Sequence, residues 1–362
     1  MKRHINPHNR RRFFYLFFVL TLIFTMAGGC RNKKLEENGN AGRPENNDGS
    51  YAVGVLIAFD SPTSDEVFKA FVSTLDRYQK ETGQKFEILT ERAHGQLSIL
   101  PQLARKLAEK AQILVPVSTP ALQAVMIATE KTPVVFSSVA NPYLVRAGRT
   151  AVDHEPRLTG VCSTAPVKQV LTVIRQVKPG VKKIGTVWTP SEVNSQYYLE
   201  LMTEAADELG LTLINSPIDE AADLVQAFQY VMQHQAEVIF PVSDNTINAN
   251  FDQLARLAEE NRIPLFAAFA LGAELGACAS MGFGFAEIGK KTAELVVRIK
   301  NGESPALIPF QYPDKILFYI NEEASKKQGI IWPRAMLKQA DGIIRTTAKE
   351  EGASSSRLRS IG

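Results

Sequence analysis

Cysteine is scarce in this chain, and its few cysteines lack the spacing of a disulfide framework or a metal site. Cys30, Cys162 and Cys278 are the only three among 362 residues. Zinc sites and redox motifs need closely spaced pairs, so both are excluded. Cys162 and Cys278 could pair with each other in an oxidising compartment, or they could be two small buried residues on strands. We favour the second interpretation.

Catalytic and cofactor motifs are also missing. The sequence has no Gly-x-Ser-x-Gly elbow, no phosphate-binding Gly-Lys-Ser/Thr loop and no metal-type histidine pair. Its Gly282-Phe283-Gly284 element lacks the third glycine of a dinucleotide-binding loop. We interpret Phe283 and Phe285 as packing residues. The sequence therefore predicts a protein that is not an enzyme and that holds no cofactor.

Excess charge is absent once the first 29 residues are set aside. The chain has 41 basic and 38 acidic residues, but five of the bases and none of the acids lie in residues 1–29. The remainder is close to neutral. Nucleic-acid binding normally needs a basic face, so we expect no nucleic-acid partner.

The beginning of the chain has the form of an export signal. Arg10-Arg11-Arg12 precedes an apolar run from Phe13 to Ala27, which is short for a membrane span, and small residues then precede Cys30. The cysteine at this place resembles the lipobox of bacterial lipoproteins, although Ala27 stands where that motif usually has leucine. We predict a lipoprotein signal peptide over 1–29 and lipidation of Cys30. An uncleaved anchor and an ordinary signal peptide are the alternatives.

Polar segments border a long central region that is rich in apolar runs. Residues 30–50 hold almost no large apolar side chain and predict a disordered tether. We assign residues 334–362 to a C-terminal tail. The core between them is long enough for two domains.

The core alternates short apolar runs with apolar residues at helical spacing. One series begins at Val53–Phe59, and a second begins near Val167. Repeated strand–helix alternation predicts parallel sheets that are covered on both faces. The fold class is therefore α/β, with two doubly wound lobes.

Polar loops follow several predicted strands, where open parallel sheets bind ligands. The candidate ligand-binding residues in these loops are Phe59, Asp60, Ser118, Thr119, Ala140, Asn141, Glu192, Asn194, Ser195, Asp244 and Asn245. A hydroxyl and a proline open a helix at Ser118-Thr119-Pro120, an arrangement that suits a carboxylate but also describes a plain helix cap. Asp244 has no basic neighbour in sequence and suits an ammonium group, and apolar residues such as Phe59 would select the side chain.

At these loops the chain resembles the extracytoplasmic substrate-binding proteins of ABC transporters, in the branch that binds tryptophan or other aromatic amino acids. The matching segments are Val117–Ala121, Pro133–Phe136, Leu158–Val161, Glu192–Ser195, Asp244-Asn245, Pro264–Ala267, Ile320-Asn321 and Gly329-Ile330. The resemblance differs at Ser61–Ser64 and Asn141-Pro142, where the family usually has a His-Pro-Ala-Leu-like element and an Asp-Pro.

The resemblance implies a type I periplasmic-binding fold with a hinge of three crossovers. We place the N-terminal lobe at 51–162 plus 277–305 and the C-terminal lobe at 163–276 plus 306–333. By position, Ser118 and Thr119 would hold the ligand carboxylate, and Asp244 would pair with the amino group. Glu192, Asn194 and Ser195 would face the ligand from the other lobe.

We therefore expect a monomeric, lipid-anchored solute receptor on the periplasmic side of the membrane. It would bind a small amino-acid-like ligand between its lobes and deliver it to an ABC permease. The alternative is a module with the same pocket that reports its ligand to a membrane signalling partner.

Overall fold

The structure is a computed structural model that describes residues 49–345 and the backbone of 359–360. The predicted signal peptide, Cys30 and nearly all of the predicted tether lie outside the described residues. Within 49–345, no helix has both the length and the apolar character that crossing a bilayer requires.

Strands and helices alternate along most of the described chain. The strands are β1 Ser50–Ile57, β2 Lys85–Arg92, β3 Ile113–Val117, β4 Val134–Val139, β5 Leu158–Cys162, β6 Lys183–Trp188, β7 Thr212–Pro217, β8 Val238–Ile239, β9 Phe266–Ala267, β10 Ala279–Phe283, β11 Ile316–Asn321, β12 Gly342–Ile344 and β13 Arg359–Ser360. The helices are α1 Pro62–Thr82, α2 Leu100–Ala108, α3 Thr119–Ala128, α4 Val167–Val177, α5 Val193–Glu208, α6 Leu224–Gln233, α7 Asn245–Ala249, α8 Phe251–Glu260, α9 Phe285–Lys300, α10 Glu322–Lys327 and α11 Arg334–Leu337.

The first sheet is parallel throughout, in the strand order β2-β1-β3-β4-β5. Its central strands are continuous apolar runs that are buried along their length, as a sheet covered on both faces requires. Helix α9 returns to this sheet and packs along α1. The approach is close, because a Cβ at Gly289 would lie 2.2 Å from the carbonyl oxygen of Val67.

The second layer contains a three-stranded sheet, β7-β6-β8, and a five-stranded sheet that runs from β9 through β10, β11 and β12 to β13. A parallel bridge between Ile239 and Leu265 joins them. We predicted parallel pairing, but β11 lies antiparallel to β10. The chain leaves this layer after β10, forms α9 on the first sheet and comes back at the same end. It therefore enters β11 in the opposite direction.

Two predicted boundaries need correction. The N-terminal lobe was predicted to resume at residue 277. Strand β10, however, pairs with β9 and β11 in the second layer, and packing on the first sheet resumes only with α9.

The C-terminal tail was predicted to begin at residue 334. Met336 and Ile343 are nevertheless buried beside Trp332, and β12 pairs with β11. The buried side chains of Met336 and Ile343 keep this part of the segment in the fold despite the polar composition of the rest. The other lobe boundaries stay predictions.

Cys162 and Cys278 are buried and unpaired. Cys162 ends β5, and Cys278 immediately precedes β10. Burial raises the pKa of each thiol to about 12. The interpretation of two small buried side chains therefore describes them better than a disulfide.

Candidate functional site

A cavity lies where the carboxyl ends of strands from both layers meet. It encloses about 530 Å³ of space not filled by atoms, part of it open to solvent. Thr119 follows β3, Ser163 follows β5 and Phe283 ends β10. This is the position at which open α/β sheets bind ligands, since helices begin there and loops are free to vary.

Hydroxyl groups line the side of the cavity that the first sheet provides. Thr119, Ser138 and Ser163 all contribute to the lining. Just behind Thr119, Ser118 precedes helix α3 with φ of +90°, and Ser138 has φ of +55°. Non-glycine residues hold such angles only where the surroundings impose them, and such strain is concentrated at functional sites. The Oγ of Ser118 is buried and has no hydrogen-bond partner among the described residues.

Asp244 lies on the opposite side of the cavity and is buried. Its Oδ2 accepts hydrogen bonds from Ser195 Oγ (2.7 Å) and from the Thr189 amide (3.1 Å). Its Oδ1 accepts from the Ile247 amide at 2.7 Å, so the side chain also caps helix α7. Three donors hold the carboxylate still and direct it at the cavity.

Glu192 forms a second buried carboxylate directly behind the lining. It accepts hydrogen bonds from the amides and side chains of Asn245 and Thr246 and from the Asn194 side chain. Glu192 itself is not a lining residue. It therefore acts as an anchor that holds the polar residues around it in place.

The side chain of Asn194 has only one possible orientation. Its Nδ2 donates to Glu192 Oε2 at 3.2 Å, and a carboxylate can only accept. Its Oδ1 is consequently the free end, and this buried oxygen has no partner within residues 49–345. Asn194 and Asp244 together present hydrogen-bond acceptors to the cavity.

The electrostatics of this side favour a bound cation. Burial, and then the nearby Glu192 carboxylate, raises the pKa of Asp244 well above its ordinary value. The cavity lining includes no Lys, Arg or His from the described residues. A buried carboxylate without a cationic partner is costly, and a cationic group on a ligand would relieve that cost.

Apolar side chains close the remaining side. Phe269, Phe283, Phe285 and Ile288 all line the cavity. We had interpreted Phe283 and Phe285 as packing residues, and they do pack, but one face of each borders the cavity. The sequence carried a signal for them, because Phe283 ends strand β10 and Phe285 follows it two residues later.

The structure brings together most of the residues predicted from the sequence. Thr119, Ala140, Asn194, Asp244 and Asn245 line the cavity, while Ser118, Glu192 and Ser195 lie immediately behind it. Sequence reasoning missed lining residues that include Thr63, Ser138, Ser163, Tyr198, Asn248 and Phe269. Thr63 lies in the first turn of α1 and Ser138 near the end of β4, next to predicted polar segments, but the pattern could not say which of their side chains turn inward.

Three predicted residues lie elsewhere. Phe59, two residues after the end of β1, packs in the apolar cluster of the first sheet and does not line the cavity. Asp60 is exposed, and its hydrogen bonds with His94 and Arg92 lower its pKa. Asn141 caps a short turn through a 3.0 Å bond from the Tyr143 amide.

Asn141 also makes a contact between the two sides of the cavity. Its side chain lies close to Tyr197 of helix α5, which belongs to the second layer. Helix α3 contacts α5, and helix α1 contacts α7. The two halves therefore meet around the cavity.

Residues 52–344 match the model of a protein family described as ABC transporter substrate binding protein. The chain belongs to this family. The match confirms the prediction of a solute-binding protein rather than an enzyme.

Individual relatives agree with this assignment to the substrate-binding family. A tyrosine-binding protein of Clostridioides difficile (strain R20291) is 24% identical over 305 residues, which are 83% of this chain and 88% of the relative. A crystal structure of a conserved domain protein from Vibrio cholerae is 29% identical, with a TM-score of 0.77, and the match covers 81% of this chain and 99% of that one.

A third relative was solved with a ligand. It is an ABC domain from Streptococcus pneumoniae in complex with L-Trp, 24% identical, with a TM-score of 0.75 and coverage of 81% of this chain and 100% of that one. The likeness extends to other solute receptors, including a leucine-binding protein from Thermotoga maritima. The predicted α/β architecture of the type I periplasmic-binding fold is confirmed.

Proposed function

We propose that this protein is an extracytoplasmic receptor that binds a small amino-acid-like ligand between two lobes and delivers it to an ABC permease. One observation carries the proposal: the buried Asp244 has no basic partner in the cavity lining and lies opposite the hydroxyl groups at the start of helix α3. An anionic subsite and a neutral donor subsite in one cavity are what a zwitterion requires.

The ammonium group of the ligand would bind at the Asp244 side. An ammonium carries three N–H donors and no acceptor. Asp244 and the free Oδ1 of Asn194 are acceptors only, and Ser195 and Glu192 hold them in position. Charge-assisted hydrogen bonds of this kind are about twice as strong as neutral ones.

The carboxylate would bind at the start of helix α3. The helix begins at Thr119 with Pro120 in its first turn, and Ser118 lies one residue before it. The positive end of the helix dipole and the hydroxyls of Ser118 and Thr119 suit an anion without introducing a buried base.

The ligand side chain would then point towards Phe269, Phe283 and Phe285. These residues favour an apolar or aromatic group. The tyrosine-binding relative from C. difficile supports this class of ligand. The contacts of α3 with α5 support closure of the lobes around it, after which a monomeric receptor would present the closed form to its permease.

A thermal-shift screen of the purified protein against the twenty amino acids tests this function. A ligand at 100 times its dissociation constant should stabilise the fold by about 2.7 kcal/mol. The screen should include the amine that lacks the carboxylate and the N-acetyl form that lacks the ammonium as matched controls, and neither should stabilise. If no amino acid shifts the unfolding temperature, the proposal is wrong.

We propose in addition that a lipid on Cys30 anchors the receptor beside its permease, with residues 30–50 as a tether. Family membership and the basic, then apolar, N-terminal sequence support this. Cys30→Ser should move the protein from the membrane fraction to the soluble fraction, or leave an uncleaved precursor. A Cys278→Ser variant, which alters a buried thiol instead, should remain in the membrane fraction. Metabolic labelling with a fatty acid that persists in Cys30→Ser would contradict the anchor.

A further inference from the structure

We infer that the cavity selects ligands whose side chain ends in an O–H or N–H group, and that Asn248 is the residue that recognises it. The inference rests on the proposed function and narrows its ligand class to an aromatic amino acid with a polar end. Phenylalanine is the matched ligand that lacks such a group.

Asn248 is a buried amide that lines the cavity. Only 8% of its surface is exposed. It lies one helical turn after Asp244, and its amide donates to the Asp244 carbonyl at 3.0 Å. The chain thus places the residue that would bind the ammonium and this second polar group on one short helix, α7.

The Asn248 amide has one unused polar atom. Its Nδ2 is 3.2 Å from Ser243 Oγ, and its Oδ1 has no hydrogen-bond partner in the described part of the chain. The Ser243 hydroxyl can donate or accept, so either the nitrogen or the oxygen of the Asn248 amide could face it. In both orientations the other atom of the amide has no partner among the described residues. A phenol satisfies both orientations, since it donates and accepts, and an indole N–H satisfies the orientation with Oδ1 free.

Asn248 lines the same cavity as the aromatic residues. Helix α7 packs against α1, which packs along α9, and the first turn of α9 supplies Phe285 and Ile288 to the lining. Phe251 begins α8 just after α7 and meets Phe269 edge to face, with ring centroids 5.0 Å apart. A ligand side chain that lies among the lining rings therefore shares the cavity with Asn248.

Phenylalanine would leave the buried free atom of Asn248 without a partner, whereas a side chain with a polar end would supply one. An unpaired buried polar atom costs enough to weaken binding by about tenfold to 100-fold. An acidic side chain is also unsuitable, because no basic residue from the described part of the chain lines the cavity and the Asn248 amide is neutral.

Calorimetric titration of the full-length protein with L-tyrosine, L-tryptophan and L-phenylalanine tests the inference. We expect the wild-type protein to bind tyrosine or tryptophan at least tenfold more tightly than phenylalanine. Asn248→Leu, which keeps the volume and removes both polar atoms, should bring this ratio close to one. Asn261→Leu, the same substitution at an exposed position of the same lobe, should leave the ratio unchanged.

Two results would overturn the inference. One is a wild-type protein that binds phenylalanine as tightly as tyrosine and tryptophan. This measurement needs no variant, so it does not depend on whether Asn248→Leu folds. The other is a preference that survives in Asn248→Leu or, should that variant unfold, in Asn248→Ala. Amino acid binding without discrimination would refute only the role of Asn248, whereas no binding of any amino acid would refute the proposed function as well.

Discussion

Asp244→Asn is expected to weaken amino acid binding by about 100-fold or more, the loss that accompanies removal of one partner of a buried charge pair. The amide oxygen can still cap helix α7 at the Ile247 amide, whereas the Nδ2 group would face the Thr189 N–H. We therefore expect a folded variant of lower stability, and the unfolding temperature checks that it is folded before titration. What the variant loses is the one acidic side chain among the described residues that line the cavity. Isothermal titration with the best ligand of the screen measures the effect.

Asp252→Asn is the matched control. Asp252 lies on helix α8 in an exposed ion pair with Arg256, so this variant removes the same charge without touching the cavity. Binding should stay within a factor of two, since exposed ion pairs contribute little. If both variants lost the same affinity, the net charge of the receptor would explain the loss. An ammonium contact at Asp244 would then be contradicted.

The pH dependence of binding provides a second readout for Asp244. Burial and the Glu192 carboxylate raise the pKa of Asp244, and only the ionised form attracts an ammonium. Affinity should therefore fall by up to about tenfold per pH unit below the raised pKa, and binding near that pKa should release a proton. Asp244→Asn should remove this dependence. An affinity that stays constant from neutral to acidic pH would count against the ammonium assignment.

Ligand affinity should fall as the pH is lowered, whereas the stability contribution of Asp244 in the ligand-free protein should rise. The folded state holds the Asp244 proton more tightly than the unfolded chain does, because the pKa is raised on folding. This contribution to stability is complete below the ordinary aspartate pKa and is lost as the pH rises through the raised value. A ligand ammonium should offset the loss.

Glu192→Ala is expected to lower the free energy of unfolding by about 3 kcal/mol or more, because buried donors without acceptors are costly. The donors that lose their acceptor belong to Asn194, Asn245 and Thr246. Binding should weaken too, since nothing then orients the Asn194 amide. Urea unfolding followed by titration with the ligand measures both effects.

Glu208→Ala is the control, because Glu208 is exposed at the end of helix α5, whose start follows Glu192. Among the described residues its ion pair is with Lys168 at the surface. Its unfolding free energy should change by less than about 0.5 kcal/mol. Glu192→Gln separates positioning from direct contact. This variant keeps one acceptor oxygen, so it should lose much less affinity than Asp244→Asn. An equal loss would mean that Glu192 touches the ammonium itself.

The position of the site could be read from the sequence because it depends on backbone order. Apolar runs of strand length, separated by helical periods, predict parallel strands, and the residue after each strand must then lie at one edge of the sheet. Thr119 and Asp244 both follow this rule, and both line the cavity. Phe59 and Asp60 follow it as well, yet their side chains lie in the core and on the surface.

The role of Glu192 shows where pattern reasoning reaches its limit. Glu192 stands two residues before Asn194, and either could have faced the ligand. Which of them lies in front depends on Asn245 and Thr246, more than 50 residues away, whose donors hold the carboxylate behind the lining. No local pattern contains that contact.

The sequence by itself determined the fold class, the edge of the sheets where ligand would bind and most of the loops involved, because strand and helix periods are local properties of the chain. Only the tertiary structure decided which side chains turn inward, including Phe283 and Phe285 at the cavity. It also decided that β11 runs antiparallel to β10. Within the described residues, it left Asn194 and Asn248 with one unpaired polar atom each. Those features arise from contacts between segments far apart in sequence, and such contacts are settled only when the two layers pack together.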